Sequence, residues 1–128
     1  KKIDKNIEMK AILFVALGGG LGSVIRYLVS RLIDTNFPYA TLIVNVLGCL
    51  IIGYVSAYYS QRGIHINEEV RLFLTVGFCG GLTTFSTFMN ECSKMITYQD
   101  YMQVALYMSL SIIIGLSCVY LGQKLFYL

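Results

Sequence analysis

The stretch GFCGGLTTFSTF, residues 77–88, decides how this chain must be read. It lies in a long apolar segment, yet it holds three glycines, three threonines and a serine. Gly77, Gly80 and Gly81, followed by Thr83 and Thr84, weaken a helical ladder. Glycine gives up the most backbone freedom on ordering, and β-branched threonine loses rotamers against the preceding turn. The pattern predicts a helix broken near its centre, at about 80–84. Beyond the break, Phe85 and Phe88 stand three residues apart on one helical face, with Ser86 and Thr87 between them.

The surroundings say what medium this break sits in. Of 128 residues, 56% are hydrophobic and only 13% charged, against about a quarter charged in ordinary globular domains. Lys, Arg, Asp and Glu are missing from 11–25, 35–61, 72–90 and 101–123. A membrane-crossing helix needs about 20 mostly apolar residues. Three windows meet or approach that alone, and the first does so when its helix runs on through Arg26 to Leu32. The expected fold is therefore all-α: a single four-helix membrane domain over 1–128, with helices at about 9–32, 38–60, 68–95 and 99–125. Pro38 suits the start of the second. A secretory leader is the competing reading of the N-terminus, because Lys1, Lys2, Lys5 and Lys10 precede an apolar run ending in small residues. Helical sequence beyond that run favours a spanning helix, with residues 1–8 as a mobile or interfacial end.

A net charge of +3, scattered and without a basic block interleaved with aromatics, sets nucleic acid aside. Four spans place Lys1, Lys2, Lys5, Lys10, Arg62, Arg71 and Lys124 on one side, and Arg26, Arg31 and Lys94 on the other. The positive-inside rule then puts both termini in the cytoplasm. Without Lys1, Lys2 and Lys5 the count falls to four against three. Cys49, Cys79, Cys92 and Cys118 form no CxxC pair, and His65 is their one conceivable companion. They read as reduced thiols used as small apolar residues.

Each span carries a small polar inventory. In GGGLGSVIRY (18–27), Gly18, Gly19, Gly20 and Gly22 allow close helix approach, and Gly18 with Gly22 makes a GxxxG. Arg26 either snorkels to the interface or lines a water-filled entrance. In ATLIVNVLG (40–48), Thr41 and Asn45 share a face, bonded to a partner helix or lining a polar path. Tyr107 and Ser111 share a face of the last helix, with Gly115 and Tyr120 further along. No Asp, Glu, Lys or His is expected in the middle of a span, and no catalytic base, metal cluster or phosphate loop is visible. Enzymatic and proton-coupled roles therefore have no obvious group to rest on. Non-helical backbone in a membrane is tolerated only where protein buries it or a cavity is lined by it. Hydroxyls, one amide, an edge arginine and aromatic rings suit a small anion better than a cation.

These motifs carry a resemblance. GGGLGSVIRY, then TLIVNVLG, then GFCGGLTTFSTF, one to a helix and in order, with a polar fourth helix behind them, resemble the Fluc (CrcB-type) fluoride channels from about Gly18 to Leu125. The resemblance implies a passive channel in a bacterial cell membrane, exporting cytoplasmic fluoride and so protecting against its toxicity. It implies an antiparallel, dual-topology dimer with a second copy of the chain, or a close paralogue, and two separate pores. It further implies a structural Na+ at the dimer centre, held by the backbone carbonyls of Gly80 and Thr83.

On this reading Phe85 and Phe88 offer fluoride their ring edges, the positive part of the aromatic quadrupole. Asn45 donates an amide N–H; Tyr107, Ser111, Ser86, Thr87 and Thr41 supply hydroxyls; Arg26 draws the anion in. One departure stands out: Gly115 sits where such channels often continue the track with serine. Two other classes share the size and helix count. A small dual-topology multidrug exporter should carry an acidic residue within its first helix, and 9–32 has none. A non-transporting membrane scaffold needs only the packing glycines and would pass no ion.

Overall fold

Side-chain caps set where most of the helices begin. Asp4 accepts a hydrogen bond from the Asn6 backbone N–H at 3.1 Å and starts α1 (Lys5–Leu32). Asn67 accepts from Glu69 and opens α3 (Glu68–Leu72). Thr84 caps α5 (Phe85–Thr97), and Asp100 caps α6 (Tyr101–Phe126). Each cap satisfies an amide that the first helical turn leaves without a partner. The remaining long helix, α2 (Tyr39–Ser60), starts on Pro38 instead. The computed structural model of the protein describes residues 4–61 and 67–128. Lys1, Lys2, Arg62 and His65, weighed above for orientation or ligation, lie outside the described residues. The capped start of α1 comes earlier than expected and brings Glu8 into its first turn, exposed and outside the charge-free window.

Between α3 and α5 the chain winds as a π-helix over Phe73–Cys79, then makes one α-helical turn, α4 (Gly80–Leu82). Thr83 (φ −86°, ψ 155°) and Thr84 (φ −149°, ψ 120°) are extended, so the break falls on two threonines just after the glycines. The glycines serve close packing. A Cβ on Gly22 would meet the Phe78 carbonyl and, at 2.7 Å, the Leu82 amide; one on Gly77 would lie 2.8 Å from the Val15 carbonyl. Backbone thus touches backbone along the seam between α1 and the third span. Such contact is what small residues give membrane helices, where lipid removes most of the hydrophobic incentive to associate.

α2 and α6 form the second seam, where side chains on Gly53 and Gly122 would strike the Val119 and Leu50 carbonyls. α5 closes against α6 through Phe88, Cys92, Met95 and Tyr107, with Phe37, Leu42, Met89 and Val104 around them. Four helical stretches, Lys5–Leu32, Tyr39–Ser60, Glu68–Thr97 and Tyr101–Phe126, are long and apolar enough to cross a bilayer. Large side chains such as Leu13, Leu17, Ile112, Ile113 and Leu116 remain exposed along them. Apolar surface on that scale is at odds with water and suits lipid. The protein is a multi-pass membrane protein.

Candidate functional site

Breaking a helix inside a membrane frees backbone groups that need partners. Asn45 of α2 supplies two of them. Its Oδ1 accepts from the Thr84 N–H at 2.8 Å, and its Nδ2 donates to the Thr84 carbonyl at 3.2 Å. Arg26 supplies another: its Nε donates to the Gly81 carbonyl at 2.9 Å. Half-buried, Arg26 is thereby turned toward the break. The Thr83 hydroxyl and amide both donate to the Cys79 carbonyl, at 2.7 and 3.0 Å.

This repair leaves a particular remainder. In a continuous helix the Thr84 N–H would close on the Gly80 carbonyl, and the Thr87 N–H on that of Thr83. Here the Thr84 N–H goes to Asn45, and the Thr87 N–H goes to the Thr84 hydroxyl at 3.2 Å. Both carbonyls lose their usual donors. Gly80 and Thr83 line one open cavity of about 520 Å³, together with Asn45, Phe85, Phe88 and Ser111.

The two phenylalanines lie 6.2 Å apart between centroids, tilted by 62° toward an edge-on arrangement. They differ in setting. Phe88 is 7% exposed and packs edge-on against Tyr107 at 4.8 Å, whereas Phe85 is 72% exposed. The Ser111 hydroxyl is buried and has no hydrogen-bond partner among the described residues. Ser86 is exposed, its Oγ 3.5 Å from that of Thr84.

Tyr107 and Thr41 belong to a second cluster, centred on Glu91. The Thr41 hydroxyl donates to one Glu91 carboxylate oxygen and the Tyr107 hydroxyl to the other, each at 2.6 Å. Tyr107 is fully buried and Thr41 nearly so. The cluster borders an open cavity of about 560 Å³, to which Thr41, Thr87, Glu91 and Lys94 contribute. A cavity of about 370 Å³ beside it is lined by Arg26, Thr41, Thr84 and Thr87. Arg26, Thr41 and Thr87 therefore meet on one side of the break, and Asn45, Ser111 and the phenylalanines on the other.

Glu91, inside the expected third helix (68–95) but near its end, joins the polar inventory of the spans as an acceptor for hydroxyls of two other helices. The charge-free window ends at Asn90, one residue before Glu91, and α5 runs on to Thr97. The available signal was spacing. Glu91 follows Thr87 by four residues and Phe88 by three, which places it on the same helical face. Thr84 was also missed as the partner of Asn45, because the two are 39 residues apart in sequence.

Fold and site together define a small four-span membrane protein with a broken helix, whose freed backbone, hydroxyl and ring groups line cavities at membrane depth. The chain belongs to the CrcB-like family. The model of that family, described as CrcB-like protein, Camphor Resistance (CrcB), matches residues 13–123. Among its relatives is a protein of Phocaeicola vulgatus named fluoride-specific ion channel FluC. It is 46% identical over 118 residues, which cover 89% of this chain and 96% of that protein. Proteins of the same name from Flavobacterium psychrophilum and Methanococcus maripaludis are 42% and 44% identical, over 89% and 90% of this chain and 94% of each relative.

Proposed function

We propose that the protein is a passive, fluoride-selective channel through which cytoplasmic fluoride leaves down its electrochemical gradient. The observation that carries this reading is the cavity beside the break, where Phe85, Phe88, Asn45 and Ser111 converge. Fluoride is small and holds its water tightly, so a pore must replace that water with closely placed donors. Ring edges, one amide N–H beyond the bond to Thr84, and the unpartnered Ser111 hydroxyl are such donors. Arg26 adds positive charge near the break, and Thr41 and Thr87 add hydroxyls to the cavity it borders. Membership of a family whose relatives are named as fluoride channels supports the same conclusion.

The working unit we infer is an antiparallel pair of chains in the bilayer, with two pores. The exposure of Phe85 supports this, since a ring intended for a pore needs a second wall. A structural Na+ at the centre of the pair fits the carbonyls of Gly80 and Thr83, two residues that line one cavity and whose carbonyls have lost their helical donors. Bound there, Na+ would supply the positive charge those carbonyls lack and tie the two breaks together.

Fluoride efflux from liposomes holding the purified protein tests the reading, with a potassium ionophore to dissipate charge and chloride as the control. Fast fluoride release with little chloride is expected. Phe85→Ile and Phe88→Ile should each cut that flux at least about tenfold, equivalent to ~1.4 kcal/mol on the barrier. Undiminished flux in both would remove the rings from the pathway, and silence from the folded protein would leave a scaffold.

A further inference from the structure

α6 has a gap beside the cavity that Ser111 and Cys49 line. Ser111 presents a hydroxyl, and one turn later Gly115 presents no side chain at all. The gap is filled from α2: the Cys49 Sγ lies 3.5 Å from where a Cβ on Gly115 would stand. Asn45, Cys49 and Ile52, on successive turns of α2, line the same cavity as Ser111. The Ser111 hydroxyl is buried without a partner among the described residues. Buried hydroxyls are nearly always bonded, and an exception calls for an ion or water that completes it. Such a guest at Ser111 has Cys49 as the next polar side chain on that wall.

Resting on the channel reading above, we propose that Cys49 is a further pathway residue, its thiol taking the place of the hydroxyl that α6 lacks at Gly115. An S–H group is a weak donor. It holds an anion less tightly than a serine does, and conduction requires sites weak enough to release their ion. Cys49 is thus a stepping site beyond Ser111, where any side-chain donor of this size keeps the path continuous.

Fluoride efflux from liposomes should fall about three- to tenfold in Cys49→Ala, the worth of one modest hydrogen bond of about 0.5–1.5 kcal/mol. Cys49→Ser should keep the flux, and Gly115→Ser should restore it when added to Cys49→Ala, because it returns a hydroxyl to the gap. An active wild type with undiminished flux in Cys49→Ala overturns this inference alone. A wild type that passes no fluoride overturns the channel reading itself. A second readout needs no flux and decides the matter should Cys49→Ala not fold. In infrared spectra of the wild type in bilayers, the S–H stretching band that Cys49→Ser removes should shift on adding fluoride and exchange in heavy water. A band blind to both overturns the proposal.

Discussion

At the scale of single residues, Asn45 and Glu91 show two different uses of a polar group in a membrane. Asn45 spends its amide on the backbone of Thr84, bonding both the N–H and the carbonyl. Asn45→Ala strands those two groups, at about 1–3 kcal/mol each, so thermal unfolding in detergent should drop to clearly lower temperature. Asn45→Asp keeps the acceptor and should recover part of the loss. Among the described residues Glu91 is held by two hydroxyls, from Thr41 on α2 and Tyr107 on α6. Glu91→Ala should destabilise by a similar amount, because two buried hydroxyls lose their acceptor together. Glu91→Gln retains a carbonyl oxygen and should cost less. Equal unfolding temperatures for the two Glu91 variants would show that the cluster does not hold α5 between α2 and α6.

At the scale of elements, the break works because three devices act on it together. The π-wound segment Phe73–Cys79 brings Gly77 to α1, the extended Thr83–Thr84 pair interrupts the ladder, and the Thr84 hydroxyl restarts it as the cap of α5. The seam with α1 tolerates little. Gly22→Val places a branched side chain against the Phe78 carbonyl and the Leu82 amide, neither of which can turn aside as a side chain could. Overpacking of this kind costs about 1–3 kcal/mol or more. The expected outcome is a sharp fall in the yield of monodisperse protein and in its unfolding temperature. Gly20→Val should do neither, because a Cβ there meets nothing within 4 Å. That contrast separates the seam from a general dislike of β-branched residues in α1.

At the scale of the whole molecule, the proposed pair of chains can be tested at Phe85. Phe85 stands open on the cavity wall while Phe88 is packed behind it. Covering Phe85 with the second chain makes a concrete demand: truncating it should weaken association more than it weakens the subunit. Phe85→Ala should lower the dimer fraction in detergent, read by cross-linking, with little change in helical content. Phe88→Ala should destabilise the subunit itself by about 3–5 kcal/mol, the usual loss for a buried phenylalanine. An unaltered dimer fraction in Phe85→Ala would place the second chain elsewhere. The proposed dual insertion has its own measurement: it requires a cysteine introduced at exposed Tyr98 to be labelled from both sides of sealed vesicles.

The sequence by itself determined the number of spans, the place of the break and the packing glycines of the first helix. Those properties are local: charge-free windows of bilayer length, residues that weaken a helix, and small residues at helical spacing are legible without knowing what they touch. It also placed Asn45, Phe85, Phe88 and Ser111 among the candidates, because a polar group or paired ring within an apolar run stands out by itself. Only the tertiary structure decided their partners. That Asn45 repairs Thr84, that Tyr107 and Thr41 share Glu91, and that Cys49 occupies the space beside Gly115 are contacts between helices far apart in the chain. Helix spacing fixes which face a residue lies on, but not which neighbour packs against that face. Glu91 illustrates the limit: a carboxylate near the end of an expected span carries no sign in the sequence that hydroxyls from two other helices take it as their acceptor.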